Sequence, residues 1–127
     1  MRLGIKEIHP VLPVQDVAEA LRFYTEVLGF KILFQDNEFE PRYAGVRLEK
    51  VEIHLQWHDD TEWDYPVDRP LIRILCDDPD RVYARIRTVS GVESLAPPTD
   101  TSWGTRDLGL YDDYGNGIIF YRNIKNG

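Results

Sequence analysis

The chain has 127 residues, of which 43% are hydrophobic and 29% are charged. This length and balance are typical of one compact globular domain, with little room for a second independent one. The formal net charge of −7 argues against a nucleic-acid partner, because such binding depends on Lys and Arg side chains that neutralise phosphates. No apolar run approaches the roughly 18 residues of a membrane span. The N-terminus also lacks the features of a secretion signal, so we expect a cytoplasmic protein.

Cys76 is the only cysteine, which excludes an internal disulfide and a zinc site built from several cysteines. It ends the apolar run LIRILC, and neither His nor Lys stands beside it to stabilise a thiolate. We therefore predict a buried and unreactive side chain.

The first half of the chain predicts a strand, a helix and three further strands. The segment from Lys6 to Val14 carries β-branched and apolar residues interrupted by Pro10 and Pro13, which suits a strand near a sheet edge or a subunit boundary. Asp16 is a candidate N-cap of the helix, and Gly29 stands where a left-handed C-cap residue is expected. The three strands that follow are FKILFQ, PRYAGVRLE and KVEIHLQW.

The second half repeats this order of elements. LIRILC predicts a strand, and Pro79 opens a helix that runs to about Val89. Three further strands follow: VESLA, RDLGLYD and GIIFYR. One helix can cover only one face of each small sheet, so the other faces must line a cavity or pack against another module. We therefore predict an α+β fold of two βαβββ modules, about 1–60 and 68–127, with curved mixed sheets around a ligand crevice.

Three stretches of the chain resemble the glyoxalase/bleomycin-resistance/dioxygenase superfamily, also called the vicinal-oxygen-chelate superfamily. HPVLPVQDVAEALRFYTEVLGFKILF is similar to its first strand and helix, DDPDRVYARI to its second helix entry, and SWGTRDLGLYDDYGNGIIFYR to its closing hairpin. The hairpin is the most specific stretch. Gly115 and Asn116 tolerate a positive φ in its tight turn, and Asp112 can bond the turn backbone. The resemblance implies either metal chemistry or simple ligand binding.

Metalloenzymes of this superfamily hold a divalent ion with one side chain from each of four strands. The resemblance places these four positions at His9, His54, about Leu71 and Ile119 of this chain. Two of the four are aliphatic, whereas a catalytic metal needs about three N, O or S ligands and an open position. His58, on the same face of its strand as His54, is either an unusual third ligand or a solvated strand end. We therefore expect no metal cofactor, and a lyase or dioxygenase with metal at His9 and His54 is the alternative.

Period-two alternation predicts which side chains line the crevice. If His54 faces it, the odd-numbered residues of KVEIHLQW turn toward the helix. The lining contains no nucleophile–base pair, which favours recognition over catalysis. The residues predicted to face the crevice are Glu52, His54, Gln56, Leu71, Arg73, Leu75, Ile119 and Tyr121.

The bleomycin-resistance branch is the most similar part of the superfamily. That branch stacks two aromatic side chains on its flat drug, and Phe34 and Phe39 have a similar spacing here. Trp103-Gly104 resembles the place where an aromatic residue closes the crevice. Trp63 and Tyr65, on the acidic loop 59–70, are possible additions.

Two arginines depart from the pattern of that branch. Arg73 is predicted to point inward on the fifth strand, and Arg106 lies near Trp103 in sequence. Inward arginines favour an anionic ligand. The carboxylates of the acidic loop offset them only in part.

The resemblance implies a homodimer that sequesters a small aromatic or cationic molecule, such as a bleomycin-type antibiotic. A ligand-sensing or structural module is a third interpretation that the sequence leaves open. The predicted ligand-binding residues are Phe34, Phe39, His54, Gln56, Arg73, Trp103, Gly104, Arg106 and Tyr121.

Overall fold

The chain forms the two βαβββ series that its sequence predicts. The computed structural model describes residues 2–59, 61, 69–89 and 95–124. The first series consists of β1 (Val11–Val14), α1 (Val17–Arg22), β2 (Lys31–Gln35), β3 (Tyr43–Leu48) and β4 (Val51–Trp57). The second consists of β5 (Leu71–Leu75), α2 (Pro79–Ile86), β6 (Thr99–Asp100), β7 (Thr105–Tyr111) and β8 (Gly117–Asn123).

Each series folds into one four-stranded mixed sheet, and the two sheets have the same topology. Their strand orders are β1-β4-β3-β2 and β5-β8-β7-β6. In each sheet the first strand is parallel to the last, and the other neighbours are antiparallel. These two mixed sheets confirm the predicted α+β fold class. In the described part of the chain, no helix has the length and apolar character needed to cross a membrane.

The first helix begins at the predicted N-cap and continues from α-helical into π-helical geometry. Asp16 accepts a hydrogen bond from the backbone N–H of Glu19 at 3.0 Å, as an N-cap should. After Arg22 the chain continues as a π-helical segment, Phe23–Val27. There the Thr25 hydroxyl donates to the Leu21 carbonyl at 2.7 Å and competes with the backbone ladder. Gly29 then has the expected positive φ of 85°.

Two of the predicted strands are wrong in their limits. Residues 6–10 are not a strand, because the pairing of β1 with β4 begins at Val11. In the stretch VESLA, residues 92–94 lie outside the described residues, and Leu95 and Ala96 are not in a strand. Two prolines without an N–H follow this stretch, and pairing with β7 begins only after them, at Thr99.

Both modules contribute to one hydrophobic core. Its largest fully buried apolar side chains come from both helical segments and both sheets, so neither sheet is buried by its own helix alone. They include Leu12, Tyr24, Ile53, Leu55, Ile86, Leu108 and Ile118.

A buried polar network ties the closing turn to the first module. Asp112 is 6% exposed and accepts four hydrogen bonds. One carboxylate oxygen accepts the backbone N–H groups of Tyr114 and Asn116, and the other accepts the Tyr24 hydroxyl at 2.9 Å and the Asn116 side-chain amide. The same amide also donates to the carbonyl of Pro13 in β1. Burial, followed by the charge of Asp112, raises the pKa of Tyr24, so this hydroxyl stays protonated and remains a donor.

We predict that Asp112→Ala lowers the free energy of unfolding by about 3 kcal/mol or more, because it leaves several buried donors without an acceptor. Tyr24→Phe removes one bond and should cost only about 1 kcal/mol. Urea denaturation followed by circular dichroism measures both changes. The exposed neighbour Asp113 is the control, since Asp113→Ala should change little. A loss below about 0.5 kcal/mol for Asp112→Ala would contradict this role.

Candidate ligand-binding face

Each sheet has one face packed on the core and one face turned away from it, which we call its open face. On β4, Ile53 and Leu55 are fully buried, so the alternate residues Glu52, His54 and Gln56 belong to the first open face. On β8, Ile118 and Phe120 are buried, so the second open face carries Ile119 and Tyr121. The same alternation assigns Arg73 of β5 to the second open face, between Ile72 and Ile74 of the core side.

Three aromatic rings form a cluster on the first open face, which we call the ring cluster: Phe34, Tyr43 and His54. The rings of Phe34 and Tyr43 are stacked, with centroids 6.1 Å apart and planes within 15°. His54 meets both rings edge-on, at 5.2 Å from Phe34 and 5.4 Å from Tyr43. Phe34 remains 40% exposed. The cluster therefore offers one accessible aromatic face held by two others.

Gly45 allows the Phe34 ring to lie against the sheet. The two residues are register partners on β2 and β3, next to a β-bulge between Ile32 and Phe34. A Cβ atom at position 45 would lie 2.3 Å from Phe34 Cε1, which is closer than real contacts permit. Any side chain at Gly45 would therefore push the ring off the sheet.

Each ring nitrogen of His54 has a polar partner. Its Nδ1 lies 2.7 Å from the Tyr43 hydroxyl, and its Nε2 lies 2.7 Å from Glu52 Oε2. The His9 ring stacks on the His54 ring at 5.1 Å, and His9 Nε2 lies 3.6 Å from the same Glu52 oxygen. The other Glu52 oxygen accepts a hydrogen bond from Arg47 at 3.1 Å. The contact with His54, helped by His9 and Arg47 and opposed by burial, holds the pKa of Glu52 below its usual value.

The arginine of the second open face is neutralised within the chain. Arg73 donates two hydrogen bonds to the two carboxylate oxygens of Asp107, at 3.1 and 3.2 Å. Its guanidinium also lies 4.3 Å from the centroid of the Tyr121 ring. Burial works against ionisation of Asp107, but the bonds from Arg73 and Thr105 outweigh it and lower the pKa of this carboxyl. Arg73 therefore acts first as an internal ion-pair partner.

Arg106 lies on the opposite side of its sheet from the position that the sequence suggests. It alternates with Asp107 and shares a face with buried Leu108. Its guanidinium donates to Asp80 in the first turn of α2 at 2.7 and 2.9 Å, and to Asp100 at 2.8 Å. Arg106 thus fastens α2 and β6 to β7, and the structure does not bring it to either open face.

The remaining predicted aromatic and polar residues are more exposed. Phe39 is 92% exposed, on a loop where Asn37 accepts the backbone N–H groups of Phe39 and Glu40. Trp103 is 69% exposed in the turn between β6 and β7, where Gly104 has a positive φ of 91°. Gln56 lies on the first open face, within 3.3 Å of His58. Trp63, Tyr65 and most of the acidic loop lie outside the described residues.

Two cavities differ in their relation to these residues. One of about 540 Å³ brings His9 and Glu52 of the first module together with Arg73 of the second. A larger one, about 850 Å³, lies between the β3–β4 turn and α2 and includes Cys76, but it contains none of the ring cluster. Burial raises the pKa of the Cys76 thiol, so the thiol stays protonated and is a poor nucleophile. We therefore place the candidate site on the open faces and not in the larger cavity.

Sequence reasoning missed three residues of this arrangement: Tyr43, Gly45 and Asp107. Alternation alone places Tyr43 on the same face of β3 as Gly45, so this signal was present in the sequence. The ion pair of Arg73 with Asp107 spans two strands and depends on the register of β5, β8 and β7. That register cannot be read from local pattern.

Comparisons with known proteins agree with this fold. A bleomycin resistance protein of Geobacillus stearothermophilus is 28% identical, over 92% of this chain and 96% of that protein. The bleomycin-binding protein from bleomycin-producing Streptomyces verticillus, complexed with copper(II)-bleomycin, matches with a TM-score of 0.76 and 21% identity. That match covers 98% of this chain and all of the other. TnmS3, an antibiotic binding protein from Streptomyces sp. CB03234, has a TM-score of 0.68 and 26% identity, over 96% of this chain and 99% of that one.

A match to a family model shows which family the chain belongs to. The family model of the Glyoxalase/Bleomycin resistance protein/Dioxygenase superfamily matches residues 7–120, which is most of the chain. This range includes both βαβββ series and the closing turn around Asp112. The chain therefore belongs to the Glyoxalase/Bleomycin resistance protein/Dioxygenase superfamily.

Proposed function

We propose that this protein sequesters a small aromatic or cationic molecule of the bleomycin type, and that this binding needs no metal cofactor. The observation that carries the proposal is the ring cluster on the first open face, with Phe34 partly exposed above Gly45. The relatives named as bleomycin resistance proteins support the same class of ligand. We propose binding without turnover, in the cytoplasm.

The exposed rings suit a planar or cationic ligand. Each aromatic face contributes about 0.5–2 kcal/mol through stacking or cation–π attraction, so useful affinity requires several of them. Phe34 supplies one face that is already ordered by Tyr43 and His54. Phe39 and Trp103 are the other two candidates, and both are free to turn toward a ligand because they are largely exposed.

The charges of the open faces argue against an anionic ligand. Arg73 is paired with Asp107, and Arg47 is paired with Glu52. Arg106 is occupied by Asp80 and Asp100 on the core side of its sheet. An anion would have to compete with these carboxylates, whereas a cation would meet aromatic faces on a chain of net charge −7.

We further propose that two copies of the chain associate and that each crevice takes residues from both. A single chain leaves large apolar side chains exposed on its second open face: Leu71 is 59%, Leu75 61% and Tyr111 73% exposed. Apolar surface of this kind is usually covered in solution. A second copy would cover it and would also enclose the ring cluster, which one chain leaves open to solvent.

We predict that bleomycin binds the wild-type protein and that Phe34→Ala weakens binding about tenfold, because one stacking face worth about 1.4 kcal/mol is lost. Isothermal titration calorimetry in the presence of a chelator measures the affinity without a metal contribution from the protein. Leu33→Ala, a truncation of the exposed neighbour on β2, is the matched control and should leave the affinity unchanged.

Two results would contradict this proposal. One is the absence of saturable binding of bleomycin by the folded wild-type protein at micromolar concentration. The other is an equal effect of Phe34→Ala and Leu33→Ala, which would show that the ring cluster is not the binding surface.

We predict a dimer of about twice 14.8 kDa, since both open faces need a cover. Sedimentation velocity of the wild-type protein measures its mass, and Leu75→Lys should shift it toward the monomer by placing a charge in the covered face. Glu26→Lys, at an exposed position on the helix side, serves as the control. A wild-type protein that sediments as a monomer would be inconsistent with shared crevices.

A further inference from the structure

The larger cavity lies where the β3–β4 turn of the first module meets α2 of the second. It has a volume of about 850 Å³. Apolar side chains form much of its wall, among them Leu48, Ile74, Val82 and the nearly buried rings of Phe30 and Phe120. Cavities of this size bind small organic molecules. We propose that this cavity is a second binding site, separate from the open faces, for an amphipathic anion such as a medium-chain fatty acid.

The equivalent region on the other side of the molecule is filled by the chain itself. Because the two sheets share one topology, the β7–β8 turn corresponds to the β3–β4 turn, and α1 corresponds to α2. In the β7–β8 turn, Tyr114 packs against the core and its hydroxyl donates to the Asp16 carbonyl at 3.2 Å. That turn has five residues, 112–116, whereas the β3–β4 turn has only two, Glu49 and Lys50. The shorter turn therefore leaves space where the longer one supplies a side chain.

Three cationic side chains line the cavity. Lys50 lies on the β3–β4 turn, and Arg81 and Arg85 lie one helical turn apart on α2. Among the residues that the structure describes, none of these three side chains forms an ion pair or a hydrogen bond, whereas Arg47 and Arg73 on the open faces are both paired. Like charges four residues apart on a helix repel each other. A bound anion would relieve this repulsion.

Arg85 extends from α2 to the first module. Its guanidinium lies against Gly29 at the end of the first helix, since a Cβ atom at position 29 would lie 2.0 Å from Arg85 Nη2. The absence of a side chain at Gly29 therefore makes room for this guanidinium at the wall of the cavity. A guanidinium whose donors are unbonded is suited to a carboxylate, which it can bind through two parallel hydrogen bonds.

Three carboxylates also line the cavity but do not neutralise these cations. Asp78 caps α2, where it accepts the backbone N–H of Asp80 at 3.0 Å. Within the described ranges, Glu49 and Asp77 form no ion pair with Lys50 or with either arginine of α2. The three cations therefore outnumber the two carboxylates that make no bond of their own. Together with the apolar wall, this excess favours a molecule with an anionic head and an apolar tail.

The first test compares three molecules that share one alkyl chain and differ in the charge of the head group: dodecanoate, dodecanol and dodecyltrimethylammonium. Each is titrated into the wild-type protein by calorimetry, below the concentration at which it forms micelles. We expect dodecanoate to saturate at one molecule per chain at micromolar concentration. It should bind about tenfold more tightly than dodecanol, because only dodecanoate can accept charge-assisted hydrogen bonds. The cationic molecule should bind most weakly.

Variants of the cavity wall locate the site. Arg85→Gln should weaken dodecanoate binding about tenfold, and Val82→Trp should block it by filling the cavity. Arg22→Gln, which removes an exposed arginine of α1 outside the cavity, is the matched control and should retain wild-type affinity. Phe34→Ala should also leave this affinity unchanged, which separates the site from the ring cluster and the inference from the bleomycin-type ligand. Circular dichroism verifies that each variant is folded.

A further measurement needs no variant. Cys76 is the only cysteine of the chain and lines the cavity, so N-ethylmaleimide labels one known position. We expect saturating dodecanoate to slow this labelling severalfold. The proposal is overturned if the folded wild-type protein shows no saturable binding of dodecanoate, or if dodecyltrimethylammonium binds as tightly. It is also overturned if Arg85→Gln binds dodecanoate as tightly as Arg22→Gln, or if the labelling rate of Cys76 does not change.

Discussion

The fold depends on the buried carboxylate of Asp112. A carboxylate out of water is stable only when its oxygens are hydrogen-bonded, and Asp112 has donors from the closing turn and from Tyr24, 88 positions earlier in the chain. Asn116 extends the network to the Pro13 carbonyl in β1. The turn therefore fixes the second sheet against the first module, and it positions the two open faces relative to each other. The turn that carries the family resemblance is thus a structural joint between the modules.

The candidate site lies on the two open faces, which the shared core does not cover. With both core faces buried together, the ring cluster, the Arg73–Asp107 pair and the His9–Glu52–His54 group all lie on the open faces. Internal ion pairs neutralise the arginines there, so the surface offers aromatic faces and imidazoles more than free charge. Such a surface suits a flat or cationic molecule better than an anion.

The sequence predicts those features that depend on residues close together in the chain. The helix starts at Asp16 and Pro79, the two βαβββ series and the separation of His54 from Ile53 and Leu55 on β4 follow from short-range rules of capping and alternation. The pattern failed where strand pairing decides. Arg106 was expected at the crevice from its nearness to Trp103, but it donates to Asp80 of α2, and the pairing of Arg73 with Asp107 was not foreseen. Both outcomes depend on register between strands distant in sequence, which no local pattern contains.

We infer that the Phe34 ring, which lies against the sheet at Gly45, is the binding surface. A double-mutant cycle of Phe34→Ala and Gly45→Ala, measured by bleomycin affinity, distinguishes this surface from any other. We expect Gly45→Ala alone to weaken binding about as much as Phe34→Ala, because its methyl group displaces the ring, and to add no further loss once the ring is gone. An unchanged affinity of Gly45→Ala, or losses that add in the double variant, would rule out the Phe34 ring as the binding surface.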